Sequence, residues 1–292
     1  MNAVLAVAAR FESKLKGDTG ELEASMYHGR CLEFLISAIN KPPEAYSESL
    51  LVGVVIAQIY QELDVTPRGH ETHVIGTSRI VDHAAATGLL LHSKLAAASG
   101  WVHLRQAIAL SLYRNTRIQL NLSNFDGLVA YSAGATAYTN QITLIFAKTL
   151  RLYFPDENKT REPPTNGYVP ANSVEAGIKE WNDLEEQVEH WYRSKPEWFG
   201  ILYYREQDLA DNRPFPEYLI STSCQGKLML LIKTGKETNE SLVSGFIHYH
   251  ASKLMLALYE ANRARPRLAF EGVRARLNIE VRLALYVTYD YH

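Results

Sequence analysis

Apolar residues recur at helical spacing along nearly the whole chain, while the strict alternation of a half-buried strand is rare, and this restricts the fold to helices packed on helices. Val4, Leu5, Ala8 and Phe11 share one face of a short first helix that Gly17 ends. A second helix is expected from about Glu21 to Ile39, with Leu22, Met26, Leu32, Leu35 and Ile39 at its apolar positions, because Pro42-Pro43 prevents its continuation. Ser47 can cap a third, through Leu50, Leu51, Val54, Val55, Gln58, Ile59 and Tyr60 to about Leu63. That run is too long for a typical strand and apolar enough to be central and largely buried. The same periodicity predicts helices at about His70 to Ala86, Ala96 to Tyr113, Gly127 to Tyr153 and Ser173 to Ser194. Phe154 to Pro170, with Pro155, Pro163, Pro164, Gly167 and Pro170 among charges, reads as an exposed connector. It either separates two subdomains or forms a long loop in one array. The expected fold is all-α, a large irregular multi-helix array.

A chain of 292 residues with 47% apolar composition can bury a sizeable core. Its net charge of -2 provides no global attraction to a phosphate backbone or an anionic membrane. Cys31 and Cys224 are its only cysteines and stand far apart, so neither a disulfide framework nor a cysteine zinc site can be assembled, and a reducing compartment fits. Met1 to Ala9 lacks the basic start of a signal peptide, and Arg10 interrupts it well short of a membrane span, which leaves nuclear or cytosolic residence.

The sequence contains no GxSxG elbow, P-loop, dinucleotide fingerprint or HExxH, so no catalytic or metal-binding residue is assigned. His70 and His73 are three apart where a zincin needs four, and His248 and His250 flank Tyr249 at a spacing that points them apart on a helix. Arg105 and Gln106 are the candidate polar pair, since Trp101, Leu104 and Ile108 mark their helix as mostly buried and a buried Arg needs a carboxylate or carbonyl partner. They either bind an effector or fix packing through an interhelical hydrogen bond, and packing is the simpler role. Trp101, Trp181, Trp191 and Trp198 read as core anchors. Arg263, Arg265, Arg267, Arg274 and Arg276 form the strongest basic cluster, suited to nuclear import, to an acidic partner or to a solvated helix end.

Several segments, in order, resemble the fungal-specific transcription factor domain, the helical region that follows the zinc cluster in many fungal regulators. They are Tyr27 to Leu32, Ile59 to Asp64, His73 to Arg79, and Trp101-Val102-His103-Leu104-Arg105-Gln106-Ala107-Ile108 followed by Ile118 to Leu122. Later marks are Trp181, Leu184 and Trp191, Tyr203 to Arg205, Arg213 to Glu217, and His250 to Lys253 with Leu258-Tyr259. Ala107 departs from the pattern, which commonly has an acid there, so no salt bridge from that position is implied. The resemblance covers most of the chain and implies a single regulatory domain over 1–292, in the nucleus, for control of RNA polymerase II genes. Its implied partners are the transcriptional machinery or co-regulators, with a small apolar effector and a homodimer as further candidates and no membrane. Zinc and direct DNA contact belong to the family's six-cysteine cluster, which these residues do not contain, so the chain is expected to be a truncated or divergent member without a cofactor of its own. A helical scaffold unconnected with transcription, or an enzyme with a non-local site, are the alternatives.

In the family pattern Cys224-Gln225 runs directly into Gly245 to His250, so residues 226–244 read as an insertion or a retained intron. Gly226-Lys227 can be written with a GTAAG donor, Thr238-Asn239 with an ACTAAC branch point, and Ser244-Gly245 with a CAG acceptor. A surface insertion is the alternative, tolerated if its ends stay close.

Overall fold

A computed structural model of the chain describes residues 1–17, 20–43, 46–63, 70–130, 134–154, 171–196, 201–205, 217–220 and 240–263. Helices α1 (Asn2–Lys16), α2 (Glu21–Ile39), α3 (Glu48–Glu62), α4 (His70–Ala86), α5 (Leu89–His92) and α6 (Lys94–Arg114) come first. A 3₁₀ turn (Leu122–Phe125) then leads into α7 (Asp126–Ala130), followed by α8 (Gly134–Tyr153) and α9 (Ala171–Ser194). A short antiparallel pair, β1 (Ile201–Arg205) and β2 (Glu217–Ile220), precedes α10 (Glu240–Arg263). The fold is all-α, and this one ribbon, with Ile201 opposite Ile220 and Arg205 opposite Glu217, is its only strand pairing among the described residues.

Local chemistry sets several boundaries. Gly17 takes φ 74°, a left-handed conformation that costs glycine nothing, and so ends α1. Ser47 caps α3 by accepting from the Leu50 N–H at 3.3 Å. Ser93 plays the same part before α6, accepting from the Ala96 N–H at 3.0 Å while its hydroxyl donates to Glu48.

The helices form two compact units, Met1–Arg114 with Ile118–Ala130, and Asn115–Arg117 with Tyr131–His292. In the first, α3 packs against α1, α2, α4 and α6, and buries Leu50, Leu51, Val54, Val55, Gln58 and Tyr60. Trp101, Leu104, Ala107 and Ile108 of α6 are buried as well, and the Trp101 ring meets Phe125 edge-on at 5.1 Å. Ala107 occupies an apolar position, where an acid would need a partner. Ile118, Leu120 and Leu122 continue the core beyond α6.

The structure corrects the expected faces of the first two helices. In α1 the buried residues are Ala3, Ala6, Arg10 and Ser13, while Val4 and Phe11 are 54% and 55% exposed. The cause is close approach: Ala6, Ala24 and Tyr60 form one cluster, which only small side chains on facing turns permit. Arg10 is held on that side by Glu21, at 2.7 Å, and by the Tyr60 ring. In α2 only Leu35 of the expected positions is buried, with Ala24 and Cys31 beside it, and Leu22, Met26 and Ile39 face outward.

The helix expected over Gly127 to Tyr153 is interrupted. Asp82 of α4 accepts from the Asn121 N–H at 3.1 Å and the Asn124 amide at 2.8 Å, which fixes the 3₁₀ turn that launches α7. After Ala130 the chain restarts as α8 at Gly134, whose φ of 71° favours glycine.

In the second unit α8, α9 and α10 enclose Ile142, Ile145, Leu184, Val188, Trp191 and Phe246. Trp191 is wholly buried and donates from Nε1 to the Tyr138 carbonyl at 2.9 Å, and Trp181 donates to the Leu256 carbonyl at 3.0 Å, so both anchor helices to one another. α10 begins at Glu240 and continues unbroken through Gly245. The connector beyond Phe154, Trp198, the remainder of the 226–244 segment and the arginines after Arg263 lie outside the described residues.

Candidate functional site: a cleft beside α4

One side of α4 faces α6 and the other lines a cleft. His73, Thr77 and Ile80 follow one another at i, i+4 and i+7, with Gly76, Arg79 and His83 along the adjoining edge. Across from them stand Leu32, Leu35, Ile36 and Ile39 of α2, and Val54 of α3 closes the space. Pro43 and Tyr46 form its end. The cleft has a volume of about 780 Å³, within the range of sites for small organic molecules.

Its polar groups are few, and two are unsatisfied among the described residues. Thr77 is wholly buried, yet its Oγ1 has no hydrogen-bond partner. The buried Nε2 of His83 also has none, and Tyr46 meets the His83 ring edge-on at 5.4 Å while spending its hydroxyl on the Ile39 carbonyl at 3.3 Å. His73 is held by Gln61, Nδ1 to Oε1, at 2.8 Å. Arg79 is exposed and has no ion-pair partner among the described residues. Among the described residues no carboxylate lines the cleft.

On the other side of α4, Ser78 Oγ lies 2.9 Å from His103 Nε2 and donates to the Val74 carbonyl at 3.0 Å. Burial lowers the His103 pKa to about 4. Gln106 lies close enough to oppose that shift, but neither its Oε1 nor its Nε2 makes a hydrogen bond of good geometry. Asp82 moves the other way, its pKa raised by burial and partly restored by the Asn121 N–H and Asn124.

The candidate pair from the sequence stands apart from the cleft. Arg105 is half-buried, its Nη1 donates to the Trp101 carbonyl one turn back at 3.0 Å, and burial lowers its pKa. Gln106 is buried, and neither residue lines the cleft. Leu104 and Trp101 belong to the core of the first unit. In the second, Lys253 pairs with Glu189 and His250 meets Tyr249 edge-on, so these residues join α9 and α10 or pack locally. His248 accepts or donates at Thr143 Oγ1, 2.9 Å away, and stacks on Phe146.

Of the cleft residues, His73, Gly76, Thr77 and Arg79 fall in the His73 to Arg79 mark, which the sequence did not identify as a lining. The available signal was polar residues at helical spacing on an otherwise apolar face of α4. Among the described residues no group of three His, Cys, Asp or Glu side chains could hold a metal ion, and no helix is long and apolar enough to cross a membrane. Comparison of the chain with protein-family models, with curated proteins and with solved structures finds no match.

Proposed function

We propose that this chain is the regulatory domain of a fungal RNA polymerase II transcription factor, acting in the nucleus through contacts with co-regulators or the transcriptional machinery and through a small effector. DNA reading is left to a zinc cluster that these residues do not contain. The observation that carries the reading is the place of α6, whose Trp101 to Ile108 segment bears the central family mark and lies inside an irregular array. Helices α1 to α6 have 15, 19, 15, 17, 4 and 21 residues in order, with no constant pair to stack, which disfavours a repeat scaffold. An enzyme would need titratable groups converging in a polar cleft, whereas the cleft beside α4 is walled mainly by aliphatic side chains.

Contacts with other proteins draw support from the outer faces of α1 and α2, where Leu15 and Leu22 are 72% and 86% exposed beside Phe11 and Met26. The test is to fuse the chain to a heterologous DNA-binding module and measure a reporter beneath that module's site. The reading expects output to differ from that of the module alone. Equal output would refute it.

A further inference from the structure

We infer that the cleft beside α4 binds a small amphipathic carboxylate, with its head on Arg79 and His83 and its apolar body against α2 and α3. The inference deepens the effector part of the proposed function and rests on that reading only for its consequence in transcription.

Charge selects the head group. The chain as a whole is slightly acidic, with 32 acids against 30 lysines and arginines, yet among the described residues the cleft collects Arg79, His73 and His83 and no acid. Arg79 and His83 are four apart on α4 and therefore neighbours on one edge of the helix. A guanidinium offers the fork that a carboxylate fits, and its charge is not spent on an ion pair among the described residues. His83 lines the same edge, and its ring is steadied by Tyr46. A cationic ligand would meet repulsion on this edge.

The opposite wall selects the body. Ile36 and Ile39 line the cleft and remain 59% and 42% exposed, so an apolar group laid across them would remove that surface from water. Leu32, Leu35 and Val54 extend the same surface inward. A small inorganic anion would satisfy the head site and leave this wall wet.

Gly76 makes the test clean. It lies in the lining, and a Cβ built on it would meet nothing within 4 Å, so a leucine there has room at its first side-chain atom, adds bulk to this edge of the cleft and would favour the helix. The experiment is calorimetric titration of the full chain at pH 7 with decanoate, decanol and decylamine, each below its micelle-forming concentration, for wild type, Arg79→Gln and Gly76→Leu. Thermal melts confirm that both variants fold. Decanoate should bind wild type at one site, about tenfold tighter than decanol, the scale of one charged hydrogen-bonded contact. Decylamine should bind more weakly than decanol. Arg79→Gln should bring decanoate to the level of decanol and leave decanol unchanged, and Gly76→Leu should abolish binding of both. Decylamine binding as tightly as decanoate, decanoate binding undiminished in folded Gly76→Leu, or no binding by wild type would overturn the inference. The reporter test is independent: binding with a silent reporter keeps this site and refutes the transcriptional reading, and the reverse keeps the reading and refutes the site.

Discussion

His103 should make the first unit sensitive to acid. The single hydroxyl proton of Ser78 goes to the Val74 carbonyl, so the 2.9 Å contact requires His103 Nε2 to carry a proton and donate to Ser78 Oγ. Nδ1 is left as a buried lone pair with no donor. Protonating it would place a charge in a wholly buried site, and His73 nearby adds repulsion, which together outweigh the approach of Gln106. An unfolded chain binds that proton near pH 6.5, while the folded chain resists it to about pH 4. Because the folded value is depressed, the stabilising contribution is whole above pH 6.5 and is lost progressively as pH falls toward 4. That interval corresponds to about 3 kcal/mol, a large part of the 5–15 kcal/mol of an ordinary domain. Native-state hydrogen exchange of the α6 amides, which report on the first unit, measures the effect at pH 7, 6, 5 and 4. The comparison is His103→Gln, whose amide can still donate to Ser78 but does not titrate. Whatever offset the variant shows at pH 7, the wild-type advantage should shrink by about 3 kcal/mol by pH 4. Carboxylates common to both proteins cancel in this difference. An advantage that stays constant with pH would refute the reasoning.

Three further outcomes follow from the same geometry. Leu104→Ala, at a position with no exposed surface, should cost about 3–5 kcal/mol in chemical denaturation, through lost burial and a residual cavity. Arg105→Ala should lower stability in the same assay, since it removes the donor to the Trp101 carbonyl and the packing of a half-buried stem; unchanged stability would be inconsistent with this account. A fluorescence titration of the chain with duplex DNA at physiological salt should show no sequence preference, and salt-resistant binding to one sequence well above its scrambled control would contradict that expectation.

Helix positions were legible where the chain carries its own punctuation. The bounds of α2 follow from periodicity and Pro42-Pro43, and the start of α3 from Ser47, because these signals act within one or two turns. The face a helix buries is a different matter, since it depends on what approaches. Val4 and Phe11 are larger and more apolar than Ala6, yet contact with Ala24 and Tyr60 decides which side of α1 turns inward. The turn ahead of α7 was hidden for the same reason, because it is set by Asp82, 39 residues before Asn121 in sequence. The cleft shows both cases. Its α4 wall could be read from spacing alone, but pairing it with Leu32, Ile36 and Ile39 requires the packing of α2 on α3.

The central claim is that this folded helical array regulates transcription. The most direct measurement is reporter output from the chain tethered through a heterologous DNA-binding module, beside the tethered Leu104→Ala variant and the module alone at matched protein levels. A change from the module's own output that is present with the wild-type chain and lost with Leu104→Ala is the predicted result. Output equal to that of the module alone, or a change that persists when the core of the first unit is broken, would contradict the account.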